Sequence, residues 1–227
     1  MFNKLWKNFH EACSRFSLLE DGDKVLIGLS GGKDSLLLVE LLGRQARIYR
    51  PSIEVAALHV RVANRNYVSD LTYLTRFCEQ AGVEFMVKDT AIVGEEKKDP
   101  CFLCSWYRRK TLFDTALNEG YNKIALGHHR DDILNTALLN LIYEGRFSSI
   151  DPALKLDKMP LTLIRPLCMT DEKDITAYSQ EQGYEKQKSL CPFEKHSERH
   201  TMASLLEELR KLNPDVRSSI EHALYRK

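Results

Sequence analysis

The sequence predicts an α/β protein with a doubly wound, mostly parallel five-stranded sheet and helical additions at its N- and C-terminal ends. Two observations support this prediction. Short runs typical of buried strands alternate with stretches of helical periodicity, at the spacing of β-α-β units. The composition is that of a globular protein, since 43% of the 227 residues are hydrophobic and 29% are charged. A chain of this length can form a core without disulfides or a structural metal.

The predicted elements follow the chain in a regular order. Apolar residues at helical spacing predict an amphipathic helix within residues 1–19, which the Asp-Gly-Asp stretch at 21–23 would end. Short apolar runs predict five strands, at residues 24–29, 54–62, 83–88, 123–126 and 162–165. Helical periodicity predicts seven further helices, at residues 34–47, 69–81, 101–119, 130–143, 171–182, 201–212 and 214–225.

The predicted elements divide the chain into three parts. Residues 1–22 form the N-terminal helix, residues 23–190 the α/β domain, and residues 191–227 a cysteine-containing loop with helices. Residues 90–100 and 144–161 show neither the helical nor the strand pattern of apolar residues, and both segments are long enough to form active-site loops. Ligands of such a sheet bind at the carboxyl ends of its strands, so the residues after each strand are the candidates for a site.

Charge and targeting signals narrow the function classes. Lys and Arg number 33 and Asp and Glu 32, which excludes a polybasic tail or an acidic solvating chain but allows a local basic patch. The N-terminus lacks the apolar core of a signal peptide, and the apolar run at 36–42 is far too short to span a bilayer. We therefore expect no membrane contact and a cytoplasmic location, where the six cysteines would stay reduced.

A phosphate-binding loop is predicted between the first strand and the helix after it, at Ser30-Gly31-Gly32-Lys33-Asp34-Ser35. Two glycines allow a sharp turn and expose backbone N–H groups, and the helix N-terminus adds partial positive charge. The two serines can bond phosphate oxygens, Lys33 can neutralise charge, and Asp34 can hold Mg²⁺. The loop matches neither the Walker A pattern nor G-x-G-x-x-G. Its alternative interpretation is an ordinary strand-to-helix turn with a serine cap.

With the KVLIGL strand before it, the SGGKDS loop resembles the pyrophosphate loop of the N-type ATP pyrophosphatase (PP-loop) superfamily. That superfamily includes GMP synthetase, tRNA lysidine synthetase and the tRNA thiolation enzymes, which cleave ATP to AMP and pyrophosphate while adenylating a substrate oxygen. The resemblance implies ATP and Mg²⁺ as cofactors and a catalytic role for Asp34. It also implies that ATP is bound by the whole loop: Ser30, Gly31, Gly32, Lys33, Asp34 and Ser35.

The cysteines form a second candidate site. Cys101 and Cys104 form a C-x-x-C pair, and Cys191 follows far downstream in front of a proline. The residues alone are compatible with a zinc site completed by His196 or His200, with iron–sulfur ligands, or with a redox dithiol. Three further cysteines are less informative: Cys13 and Cys78 lie on predicted apolar helix faces and are assigned to the core, while Cys168 is left undecided.

Four motifs together identify a narrower relationship. The segments PCFLCSWYRR, IALGHHRDDILNT and IRPL, followed by a later cysteine, are similar to the tRNA 2-thiocytidine synthetase branch of the thiolation enzymes, from about Val25 to Cys191. Members of that branch bind a 4Fe–4S cluster through three cysteines, and its open iron is thought to hold the sulfur to be transferred. By motif position, the ligands here would be Cys101, Cys104 and Cys191. Glu194 stands where the family usually has another cysteine, which is compatible with three-cysteine ligation.

Further polar residues are expected near the phosphate loop. Gly127 opens GHHRDD directly after the fourth strand and is expected at the nucleotide, and His59, at the end of the second strand, lines the adenosine pocket or the core. Asp131 could bind Mg²⁺, orient a base or cap the next helix, and by resemblance it is catalytic. Arg108 lies four residues beyond Cys104, hence on the cysteine face, and by resemblance replaces a basic catalytic residue. The alternative for Arg108 is a solvated basic face with Lys110.

These expectations combine into one functional hypothesis. The resemblance implies an ATP-dependent sulfurtransferase that adenylates a nucleobase carbonyl, in tRNA cytidine, and replaces its oxygen with sulfur by means of the cluster. The expected partners are tRNA, a sulfur donor (a cysteine desulfurase or free sulfide) and a second copy in a homodimer. The alternatives are thiolation of another RNA or a small metabolite, and a non-catalytic zinc-stabilised nucleotide sensor. The C-terminal helices, with basic pairs at 210–211 and 226–227, could contact RNA or a second subunit.

Overall fold

A computed structural model of the chain describes residues 1–63, 69–92, 100–185 and 198–226, with the side chains of 100, 101 and 198–200 outside the description. These residues form eight helices and six strands. In chain order the elements are α1 (Phe2–Phe16), β1 (Asp23–Gly28), α2 (Lys33–Ala46), β2 (Ile53–Val62), α3 (Leu71–Ala81), β3 (Glu84–Thr90), α4 (Pro100–Asn118), β4 (Lys123–Ala125), α5 (Arg130–Glu144), β5 (Ala153–Lys155), β6 (Thr162–Ile164), α6 (Glu172–Glu181), α7 (Glu198–Leu212) and α8 (Val216–Tyr225).

The strands form one sheet in the order β3-β2-β1-β4-β6-β5. The pairs β1–β2, β2–β3, β1–β4 and β4–β6 are parallel. The chain therefore builds outward from β1 through β2 to β3, and then returns to continue on the other side of β1 with β4 and β6. The order reverses between β1 and β4, and a crevice at the carboxyl ends of the strands is expected at such a reversal.

Helices cover both faces of the sheet. Along β1, Val25 and Ile27 belong to a large apolar cluster with α1, α2, α3 and α6, whereas Leu26 belongs to a second cluster with Leu112 and Ala116 of α4. This alternation follows from the period of two along a strand. Because the sheet is buried on both sides, the middle of β1 is a continuous buried apolar run, as the KVLIGL segment predicts.

The five predicted strands are confirmed, but the sheet has a sixth strand that the sequence did not predict. β5 lies within the 144–161 segment, which was expected to be a loop, and pairs antiparallel with β6. Its three residues, Ala153, Leu154 and Lys155, are exposed and too few to show an alternating pattern. A turn closed by a hydrogen bond from Leu156 N to Leu161 O brings the segment onto β6, so pairing with a neighbouring strand supplies what local sequence lacks.

The terminal helices join the body of the protein. α1 buries Leu5 and Phe9 and confirms the predicted amphipathic helix. At the other end, α7 and α8 pack against α5 around a small apolar cluster, which includes Leu138, Met202 and Ile220. Among the described residues, no helix is long and apolar enough to cross a membrane.

Candidate functional site

The phosphate loop connects β1 to α2 and is ordered by its own serines. Gly31 has φ +85°, a conformation that a residue with a side chain rarely adopts. Ser35 Oγ accepts a hydrogen bond from Gly31 N at 3.2 Å and donates one to Gly32 O at 2.9 Å. Ser30 Oγ lies 3.1 Å from Ser35 Oγ and accepts from Gly32 N at 3.3 Å. Gly32 caps α2 without a side-chain partner, so the first turn of the helix presents its amides to an incoming anion.

Gly127 brings the end of β4 against the start of α2. A Cβ atom at this position would lie 3.2 Å from Asp34 C and from Ser35 N, tighter than nearly all real contacts of that kind. The glycine therefore permits the approach of two loops that follow adjacent strands on either side of the switch point. The predicted proximity of Gly127 to the phosphate loop is thus a property of the fold, while its contact with ATP stays a prediction.

Lys33 and Asp34 form a charged group at the mouth of the loop. Lys33 Nζ lies 3.3 Å from Asp34 Oδ1 and 2.9 Å from Glu172 Oε1, at the start of α6. Burial raises the pKa of Asp34, and the Lys33 charge and that of His129, 4.0 Å away, oppose the shift. For Lys33, burial is the largest influence, but the two carboxylates outweigh it and raise its pKa. A lysine that stays charged here suits the binding of phosphate.

The Glu172 carboxylate forms an ion pair with Lys33 Nζ, the group expected to bind phosphate. We therefore expect Glu172→Gln to strengthen ATP binding. The neutral amide would no longer compete with phosphate for Lys33 Nζ, and an ion pair of this exposure is worth a roughly two- to fivefold change in affinity. Titration calorimetry with ATP checks this against Glu181→Gln, an exposed position on the same helix with no such contact to Lys33. Equal ATP affinity in both variants would show that Glu172 does not compete.

His59 anchors the phosphate loop from β2. Its Nδ1 is 2.7 Å from Leu29 O and its Nε2 is 2.7 Å from Ser69 Oγ. Because a carbonyl only accepts, Nδ1 carries the proton and Nε2 accepts from Ser69. Burial lowers the pKa of His59, which favours this neutral form. His59 is thus a buried core residue that also fixes Leu29, the residue immediately before the phosphate loop. Its contact with adenosine stays a prediction.

Arg108 is half-buried on α4. Its charge adds to the effect of burial in lowering the pKa of His59, a residue of β2. Lys110, by contrast, is exposed and pairs with Asp114 one turn on. The solvated basic face therefore describes Lys110, and a role of Arg108 in the site stays a prediction.

The two aspartates of GHHRDD have different roles in the structure. Asp132 completes the capping box of α5, whose N-cap is His129: Asp132 Oδ2 accepts from His129 N at 3.0 Å, and His129 Nδ1 accepts from Asp132 N. Asp131 does not cap. Its Oδ1 is 2.8 Å from Arg217 Nη1, and its Oδ2 accepts from Glu172 N at 2.7 Å. Burial tends to raise the pKa of Asp131, but these two donors outweigh it and lower the pKa.

The C-x-x-C pair begins α4. Cys101 and Cys104 are three residues apart in its first turns. Cys104 is a half-buried free thiol, whereas the side chain of Cys101 and the whole of Cys191 lie outside the described residues. Within the described ranges, no three His, Cys, Asp or Glu side chains are grouped to hold a metal. The three-cysteine ligand set therefore stays a prediction.

The other cysteines belong to the core. Cys78 is fully buried and Cys13 packs against the same apolar cluster, which confirms both predictions. Cys168, undecided from the sequence, is also buried, and burial raises its pKa to about 12. A thiol with such a pKa stays protonated at neutral pH and is a poor ligand or nucleophile.

Sequence reasoning missed two residues of this site. Glu172 contacts both Lys33 and, through its backbone amide, Asp131, but in the sequence it reads only as an acidic residue in the first turn of a helix. Arg217 lies 86 positions from Asp131 and carries no local signal at all. Only the folding of α8 onto α5 brings this arginine to the carboxyl edge of the sheet.

Comparison with known proteins extends this picture. A PP-loop domain family matches residues 2–188. The tRNA-cytidine(32) 2-sulfurtransferase of Bdellovibrio bacteriovorus is 35% identical over 227 residues, covering 97% of this chain and 87% of the relative. That of Pseudomonas putida is 35% identical over 233 residues, covering 98% and 84%. Among solved structures, the U34-tRNA thiolase NcsA from Methanococcus maripaludis, with its 4Fe–4S cluster, superposes with a TM-score of 0.79 at 27% identity, covering 96% of this chain and 76% of the other.

Proposed function

The chain belongs to the PP-loop domain family, and we propose that it is an ATP-dependent sulfurtransferase that replaces the 2-oxygen of a tRNA cytidine with sulfur. The observation that carries the proposal is the meeting of two loops at the switch point, where Gly127 packs on the start of the phosphate-loop helix. The sulfurtransferases of B. bacteriovorus and P. putida, aligned over nearly the whole chain, support cytidine 32 of tRNA as the substrate.

The proposed reaction has two steps and no net redox change. The cytosine O2 attacks the α-phosphorus of ATP, an O–P bond forms, and pyrophosphate leaves with the electron pair of the broken P–O bond. Hydrosulfide then adds to C2, and AMP leaves with the original oxygen. The hydrosulfide proton is released to solvent as the C=S bond forms. Each turnover therefore consumes one ATP and one sulfide and yields one AMP and one pyrophosphate.

The residues of the site suit the charges that arise. Lys33 and the amides at the start of α2 bind the departing pyrophosphate. Adenylation of O2 leaves positive charge on the cytosine ring, and Asp131, whose pKa is lowered, stays an anion that can stabilise it. Arg108, half-buried on α4, opposes the negative charge of the AMP leaving group. Asp34 offers the hard oxygen ligands that Mg²⁺ prefers.

A 4Fe–4S cluster is the proposed cofactor, supported by the cluster in the M. maripaludis thiolase. The donor chemistry fits, because thiolates are the ligands of such clusters and Cys104 is a half-buried free thiol on the first turns of α4. Cys101 and Cys191 would complete the set. A cluster held by these thiolates would supply iron that can carry inorganic sulfide.

We also propose a sulfur donor, a cellular location and an oligomeric state for this enzyme. The sulfur donor is a cysteine desulfurase or free sulfide, because the second step consumes one sulfide per turnover. The location is the cytoplasm, where reduced thiols persist. The chain forms a homodimer, for which the native mass, twice the 26.2 kDa of one chain, is the direct measurement.

The proposal is tested with tRNA from a strain that lacks this protein. Anaerobically purified, iron-reconstituted protein is incubated with that tRNA, ATP, Mg²⁺ and sulfide, and the nucleosides are analysed by mass spectrometry. We expect 2-thiocytidine to form with AMP and pyrophosphate in equal amounts. Thiolation of another nucleoside, or of a small metabolite in place of tRNA, would replace the cytidine assignment. Zinc without pyrophosphate release would support a nucleotide sensor instead.

A further inference from the structure

We propose that Arg217, on the last helix of the chain, is a positioning residue that holds the Asp131 carboxylate at the nucleotide site. The inference rests on the proposed function, in which Asp131 faces the adenylated base. It adds a part of the chain that lies beyond the matched PP-loop domain, which ends at residue 188. On this view α8 completes the site and is more than a packing element.

The contacts of Arg217 are directional. Its Nη1 donates to Asp131 Oδ1 at 2.8 Å and its Nη2 to Asp171 Oδ1 at 2.8 Å, so one guanidinium bridges two carboxylates on different elements. The Arg217 side chain is only 16% exposed and that of Asp131 19%, so solvent screens the pair weakly. A planar guanidinium with both nitrogens engaged fixes the direction of the carboxylate it holds.

The backbone amide of Glu172, the first residue of α6, holds the second oxygen of the Asp131 carboxylate. Asp131 Oδ2 accepts from Glu172 N at 2.7 Å, and the Glu172 side chain reaches Lys33 Nζ at 2.9 Å. The chain of contacts thus runs from Lys33 through Glu172 and Asp131 to Arg217. Rotation of the carboxylate would break a bond at either oxygen, so the two donors together define its position.

α8 is also held by contacts in which Arg217 takes no part. Ile220 packs among apolar residues of α5 and α7, and Glu221 pairs with Arg130 through two hydrogen bonds of 2.9 and 2.6 Å. The helix is therefore expected to stay in place without Arg217. This separation makes Glu221 a matched control, because it fastens the same helix but does not contact Asp131.

The test measures pyrophosphate release by the full-length, iron-reconstituted protein with ATP and tRNA from the deletion strain. Arg217→Ala is expected to lower kcat about 100-fold, because a small displacement of a reacting group costs that much, while KM for ATP changes little. Added guanidinium chloride should restore part of the lost kcat, and Arg217→Lys should fall between. Glu221→Gln should leave kcat near that of the wild type.

Two results would overturn the inference: an equal loss of kcat in Arg217→Ala and Glu221→Gln, or no rescue by guanidinium. A measurement independent of activity accompanies them. The melting temperatures of Asp131→Asn, Arg217→Gln and the double variant should be non-additive, because both single changes break the same pair; additive shifts would contradict the pairing. If the wild type releases no pyrophosphate, the proposed function fails, and the melting cycle alone then decides whether Arg217 holds Asp131.

Discussion

Replacing Cys104 by alanine is expected to abolish sulfur transfer while leaving the cleavage of ATP. The thiol lies on α4, whereas the phosphate loop follows β1 and Asp131 lies at the start of α5, after β4. Loss of one of three thiolate ligands should reduce bound iron from about four atoms per chain toward zero. We expect 2-thiocytidine to become undetectable. The first pyrophosphate should be released at a rate close to that of the wild type, because adenylation precedes sulfur transfer. AMP should not form, because it leaves only when sulfide adds to C2.

Iron content, nucleoside mass spectrometry and pyrophosphate release measure these outcomes on one preparation. Cys13→Ala is the matched control, because that thiol packs against the core and burial raises its pKa to about 12, so it should keep both iron and activity. Full thiolation by Cys104→Ala would remove Cys104 from the ligand set. Loss of ATP cleavage together with thiolation would show instead that the cysteine region is needed to shape the nucleotide site.

Replacing Asp34 by asparagine is expected to stop both steps. The change keeps the shape of the side chain but removes the anion beside Lys33 and the proposed Mg²⁺ ligand. We expect pyrophosphate release to fall by roughly 100- to 1,000-fold, and thiolation with it, because transition-state charge on the phosphates is then less well compensated. Iron content should be unchanged, which distinguishes this variant from Cys104→Ala.

Stability separates a catalytic effect of Asp34→Asn from a folding defect. Burial raises the pKa of Asp34, so the folded state disfavours the charged form, and neutralising the group should not lower the melting temperature near neutral pH. Asp114→Asn is the control, since Asp114 is exposed and pairs only with Lys110 among the contacts described for it. Wild-type pyrophosphate release by Asp34→Asn would exclude it from the chemistry.

The predictions made from local sequence hold where the signal is local. The phosphate loop depends on Gly31 at positive φ and on serines within five residues of one another, and these are properties of consecutive positions. The same reasoning missed β5, whose three exposed residues form a strand only because β6 offers unpaired backbone groups.

Long-range contacts explain the rest. Lys123 opens a strand that reads as apolar, yet it is buried and paired with Asp23, at 2.7 Å, from a strand 100 positions away. His129, rather than either aspartate, is the N-cap of α5, because its ring accepts from Asp132 N while Asp132 bonds back. Which of the two aspartates takes part in the cap of α5 was thus decided by the partners that folding brought to each side chain.

The sequence by itself determined the fold class, the phosphate loop and the family, because these reside in short motifs whose geometry is set by neighbouring residues. Only the tertiary structure decided how the site is assembled: Glu172 against Lys33, Gly127 against the start of α2, and Arg217 against Asp131. The physical reason is the separation of the interacting residues along the chain. An ion pair or a close backbone approach depends on positions in space, and residues far apart in the chain meet only after the sheet and the C-terminal helices have packed.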